Sequence, residues 1–84
     1  MKQPLPSIVK SSLSREVQVD GHKFRLEIYR RRDDMEWMLE ISHRSGNALT
    51  WADTFASEWV ALNQGLSTIR EEGVDLLVNR VPES

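Results

Sequence analysis

Apolar and polar residues alternate from Arg15 to Val19 and again from His22 to Ile28, with Asp20-Gly21 between the two runs. A period of two belongs to a strand with one buried face. Asp-Gly is a favoured two-residue type I′ turn because both of its positions need positive φ. The turn sets a register in which Val19 faces His22, Val17 faces Phe24, Arg15 faces Leu26 and Leu13 faces Ile28. On the other face Glu16 meets Arg25, an opposite-charge cross-strand pair.

Residues 30–35 read as a polar loop, and alternation returns from Glu36 to His43 with Trp37, Leu39 and Ile41 on one side. The pattern predicts antiparallel pairing of Ile28 with Trp37, Leu26 with Leu39, Phe24 with Ile41 and His22 with His43. A slip of one residue would turn the apolar set onto Glu36 and Glu40. Ser45-Gly46-Asn47 reads as a three-residue turn into a short strand over 48–51. That strand would put Leu49 opposite His43 and Trp51 opposite Ile41.

The period then changes. Phe55, Trp59, Leu62, Leu66 and Ile69 recur at spacings of 4, 3, 4 and 3, one stripe along a helix. Asp53 or Thr54 is the expected cap. Glycine inside a helix costs about 1 kcal/mol relative to alanine, so Gly65 points to a close approach by another backbone. Gly73 is expected to end the helix in the left-handed position, with Val74 folding back on Ile69. Val74, Leu76 and Val78 alternate and fit either a short fifth strand or an extended arm. Residues 1–12, with Pro4, Pro6 and three serines, read as a mobile lead-in. Residues 13–80 form the single α+β domain, and residues 81–84 read as a mobile tail.

The expected fold is therefore α+β: a four-stranded antiparallel meander followed by one amphipathic helix packed on its apolar face, β-β-β-β-α. The inward strand residues from Val17 to Trp51 and the helix stripe make the expected core, with all three tryptophans facing inward. A helix about 10 Å wide covers about half of four strands spaced about 4.8 Å apart. The tail or a second subunit is expected to cover the remainder.

Composition narrows the function. With 84 residues, 39% hydrophobic and 29% charged, the chain has the balance of one globular domain rather than of disorder. A net charge of −2 speaks against a bulk polyanion binder. The absence of cysteine removes disulfides, thiolate metal sites and thiol nucleophiles. The longest apolar run, Trp59 to Leu62, has four residues, whereas a membrane-spanning helix needs about 20. The first residues carry no apolar stretch of a secretory signal, so a soluble, cytoplasmic protein is expected.

Catalytic signatures such as GxSxG, a P-loop, GxGxxG or HExxH do not occur. No enzyme activity, cofactor, metal or small-molecule substrate is expected. Three groups remain as candidate sites. Arg30, Arg31 and Arg32 could grip phosphate through their guanidinium forks, although Asp33-Asp34 follows at once. The outward sheet face offers Tyr29 as its single aromatic, too little for a base-stacking platform. His22 and His43, the only histidines, are expected side by side at one end of the sheet; zinc would take at least three protein ligands. Along the helix, Ala56, Val60, Asn63 and Ser67 form a small, mildly apolar flank suited to self-association. The expected function is a non-enzymatic macromolecule-interaction module with a protein partner, self-associating as a homodimer. Nucleic-acid binding or regulation through Arg30–Arg32 is the alternative.

Overall fold

The computed structural model describes residues 7–78. Five strands form one antiparallel sheet: β1 (Ile8–Lys10), β2 (Arg15–Val19), β3 (His22–Arg31), β4 (Met38–His43) and β5 (Ala48–Thr50). The helix α1 (Glu58–Gly73) follows, and a π-helical turn, Val74–Val78, continues it. The α+β class is as expected, with an antiparallel sheet and one C-terminal helix. The sheet departs from a strict meander because β1 and β2 both pair with β3. β4 pairs with the same β3 residues from the other side, so β1 and β2 share one edge.

The β2–β3 hairpin forms as its turn dictates. Asp20 and Gly21 take φ of 53° and 80°, and the register runs from Val19↔His22 to Arg15↔Leu26. The expected Leu13–Ile28 pair does not form. A turn over Ser11–Ser14 interrupts the edge, and the Ser14 hydroxyl accepts from Ile28 N at 2.9 Å and donates to Ile28 O at 3.2 Å. The Ser14 hydroxyl thus takes the Ile28 N–H that a strand neighbour would have taken and shares Ile28 O with the Ser11 N–H, which donates to it at 2.8 Å. Beyond it, Ile8–Lys10 pairs with Tyr29–Arg31, so this part of the expected lead-in is strand. Residues 1–6 and the expected tail 81–84 lie outside the described residues.

Both remaining registers differ from expectation by two residues. Phe24 opposes His43, Leu26 opposes Ile41 and Ile28 opposes Leu39, while Ile41 opposes Leu49. A shift of two preserves every side chain's face, so alternation alone does not distinguish the two alignments. Loop length does. Because β1 holds β3 in the sheet as far as Arg31, the connection to β4 starts later than the polar run suggested. Trp37 then bonds across to Phe55, with Trp37 N to Phe55 O at 2.7 Å and Phe55 N to Trp37 O at 2.8 Å. In the β4–β5 turn, His43 N donates to Asn47 O at 3.0 Å, and Gly46 takes the left-handed position at φ 100°.

That Trp37–Phe55 bridge keeps the chain extended past Asp53 and Thr54, which therefore do not cap the helix. Thr54 donates its hydroxyl to the Glu36 carboxylate instead. Ser57 is the cap, accepting from Trp59 N at 3.1 Å. The buried face of α1 is set by Ala61, Leu62, Gly65, Thr68 and Ile69, a stripe rotated from the expected one. Leu66 is half-buried, and Trp59 leaves the core altogether with 61% exposure.

Phe24, Leu26, Ile28, Leu39 and Ile41 are fully buried beneath this face. Gly65 sits against side chains rather than backbone: a Cβ there would lie 2.5 Å from Leu26 Cδ1 and 3.3 Å from Leu39 Cδ1. Gly73 does not adopt the left-handed cap. It remains helical, and a Cβ would meet the Phe24 ring at 3.3 Å. The segment expected to be a strand or arm is the π turn, which buries Leu77 over the sheet end. Its anchor is Leu77 O, which accepts from Ser45 Oγ at 3.2 Å and Asn47 Nδ2 at 2.9 Å.

Candidate functional site

The three arginines do not form one patch. Residues alternate along β3, so Arg30 shares the helix-side face with Ile28, whereas Arg31 lies opposite Ile8 on the open face. Arg30 carries its guanidinium 5.1 Å above the Trp37 ring. Its Nη1 donates to the carbonyls of Arg31, Arg32 and Asp34 at 2.9 to 3.1 Å. This side chain shapes the loop instead of presenting its fork to solvent. Arg31 and Arg32 are exposed.

The open face of the sheet is charged. Glu27 and Glu40 oppose each other directly, a repulsive pair relieved by Lys10 at 3.1 Å and Arg25 at 2.8 Å from Glu27. Partial burial pushes the Glu27 carboxyl up, but the hydrogen bonds and charges of Lys10 and Arg25 outweigh it and hold the carboxyl below its ordinary value.

His22 and His43 do meet, although diagonally and not as a directly opposed pair: His43 stands opposite Phe24. The two ring centroids are 5.5 Å apart, and His43 lies 5.4 Å from the Phe24 ring. Ser45 closes over His43, donating its backbone N–H to Nδ1 at 3.1 Å, with its hydroxyl 3.0 Å from the same nitrogen. With Nδ1 accepting, neutral His43 carries its proton on Nε2, an atom that is buried without a partner. Burial depresses the His43 pKa, and the neighbouring His22 and Arg44 depress it further.

This arrangement links stability to pH. A depressed folded pKa means that the unfolded chain binds more protons as pH falls. Stability is therefore expected to be complete above about pH 6.5, the ordinary histidine value. It should fall as pH drops through that value, and level off below the folded pKa. Urea melts of the wild type and His43→Gln across this range provide the measurement. A wild-type and variant difference that does not change with pH would remove the linkage.

The exposed side of α1 carries the remaining candidate. Val60 is 53% exposed beside Trp59, and Ala56 and Asn63 are also exposed. Ser67 is half-buried and donates its hydroxyl to Glu71 at 3.3 Å. Ala56, expected along the helix, lies before the Ser57 cap and outside it, whereas Trp59 joins the flank because about one helical turn separates it from Asn63. Spacing alone places Trp59 in the core, but the face that α1 buries runs through Ala61, Leu62, Gly65, Thr68 and Ile69, which leaves Trp59 outside it. From Trp59 to Ile69 the helix has eleven residues and no charge.

Among the described residues no helix is long and apolar enough to cross a membrane, and no group of three or more His, Asp or Glu side chains could hold a metal ion. No protein-family model, curated protein or solved structure matches the chain.

Proposed function

We propose that this chain is a cytoplasmic, non-enzymatic interaction module that pairs with a second copy of itself through the outer flank of α1. The observation that carries this reading is the exposed Trp59–Val60 pair on a helix without charges between Trp59 and Ile69. The solvent face of a surface helix ordinarily carries charged or polar side chains, and exposed tryptophan is characteristic of interface centres. The flank of Ala56, Trp59, Val60, Asn63 and Ser67 brings no like charges together when it meets itself across a two-fold axis.

Sedimentation equilibrium at micromolar concentration tests the pairing. The wild type is expected near twice the 9.7 kDa chain mass. Trp59→Ala is expected to weaken dimerisation by about 2 kcal/mol or more, the range of an interface anchor, with unchanged far-UV circular dichroism. A wild-type monomer across the concentration range would end the proposal. Nucleic-acid binding through Arg30–Arg32 has less support, because Arg30 is committed to three loop carbonyls.

A further inference from the structure

At the end of the sheet opposite the Arg30 loop, the β2–β3 turn and the β4–β5 turn enclose an open hollow of about 530 Å³, lined by Gly21, His22, Lys23, His43, Arg44 and Ser45. Every side chain on this lining is basic or a hydroxyl. We propose that the hollow is an anion site for a phosphate group, carried by inorganic phosphate or by a phosphomonoester.

The charges come from both sides of the sheet. His22 and His43 line the hollow from the helix-side face, Lys23 from the open face and Arg44 from the turn. In a chain of net charge −2, these four groups gather without a carboxylate on the lining. Among the described residues neither Lys23 nor Arg44 has an ion-pair partner, in contrast to Lys10 and Arg25 on the same protein. The adjoining hollow contains one acid, Glu16, and Arg25 lies 3.9 Å from it. Asp20, although in the neighbouring turn, lines a separate hollow with Glu71, Glu72 and Asp75.

The chemistry suits a phosphate. Arginine and lysine supply charge-assisted donors for its oxygens, and His22 supplies an imidazole that becomes a further cation on protonation. Neutral His43 accepts the Ser45 N–H on Nδ1; its protonation places a proton on that nitrogen, displaces the bond and adds a cation to the wall. Unliganded, the site works against protonation of His43, since His22 and Arg44 repel the imidazolium. A bound dianion reverses that repulsion, so binding and histidine protonation assist each other. A phosphomonoester gains its second charge as pH rises through about 6, whereas an imidazole gains its charge as pH falls. Affinity should therefore pass through a maximum in mildly acidic solution and decline on both sides.

The test is an NMR titration of the full chain with inorganic phosphate, and separately with O-phosphoserine, following the two imidazoles at constant ionic strength. Saturable shifts of both rings are expected, with midpoints in the millimolar range and raised imidazole pKa values at saturation. Lys23→Gln/Arg44→Gln should weaken the midpoint by about tenfold, whereas Arg31→Gln/Arg32→Gln, at the far end of β3, should leave it unchanged. Binding of phosphoserine but not phosphate would assign the site to esters, and comparable binding would assign it to the phosphate group itself. Linear shifts reproduced by chloride, or a Lys23→Gln/Arg44→Gln protein that titrates like the wild type, would overturn the proposal. Both Lys23 and Arg44 are exposed, so the substitution tests the site without removing core contacts. The outcome is independent of dimerisation through α1, which sedimentation reads separately.

Discussion

Phe24→Ala is expected to lower the stability of the domain by about 3–5 kcal/mol, the range for truncating a buried phenylalanine. Phe24 is fully buried and stands where three parts of the molecule meet. It pairs with Val17 on β2 and His43 on β4, and its ring faces the glycine that ends α1, where a Cβ would lie 3.3 Å away. The flanking strands are held in register by backbone hydrogen bonds, so the surroundings have little freedom to collapse into the space. A domain of 84 residues has a total stability of about 4–13 kcal/mol. The substitution thus removes a large part of it. In urea, with a slope near 1–1.5 kcal/mol/M for a small protein, the midpoint should fall by at least about 2 M. A fall of less than about 0.5 M would mean that the ring is not the packing centre described above.

How far this architecture could be read from the residues depended on the kind of signal. Turn chemistry was decisive: Asp20-Gly21 fixed one hairpin to the residue, because only one alignment satisfies a two-residue type I′ loop. Alternation was sufficient for facing but not for alignment. Phe24, Leu26, Ile28, Leu39 and Ile41 all lie on the expected side, while each partner is displaced by two, since a period of two is blind to an even shift. The information that settles the alignment is long-range. It resides in β1 extending β3 to Arg31 and in Phe55 bonding with Trp37 instead of starting the helix. No local pattern encodes either pairing.

The candidate sites show the same division. The nearness of His22 and His43 survives the altered register because a diagonal pair of aromatic rings still reaches across neighbouring strands. Arg30–Arg32 looked like one basic feature in the linear sequence, yet strand alternation sends neighbours to opposite faces and Arg30 into its own loop. Lys23 and Arg44 gave no signal at all, since they are twenty-one positions apart in the chain and are joined only when two turns meet at one sheet end. Trp59 was misassigned for a different reason. Its spacing to Phe55 and Leu62 is helical, but Phe55 belongs to an extended segment, so the stripe lacks its first member.

Gly65→Leu is expected to cost about 3 kcal/mol or more, beyond the usual range of overpacking a closed core. Two effects compete at this position. Replacing glycine inside a helix gains up to about 1 kcal/mol of intrinsic propensity. Against that, even the first added carbon would lie 2.5 Å from Leu26 Cδ1, 3.1 Å from Leu26 Cγ and 3.3 Å from Leu39 Cδ1. Leu26 and Leu39 are both fully buried and have no solvent into which to turn. A leucine side chain must therefore lift α1 from the sheet, and the steric term exceeds the propensity gain. The cause can be isolated by combining Gly65→Leu with Leu26→Ala in a double-mutant cycle. Leu26→Ala alone should cost about 3–5 kcal/mol. In the pair, the new side chain occupies the vacated space, and the combined loss should be at least about 1 kcal/mol smaller than the sum of the single losses. Additive losses would show that Gly65 is required for some reason other than contact with Leu26. A stabilised Gly65→Leu protein would show that the helix does not lie this close to the sheet.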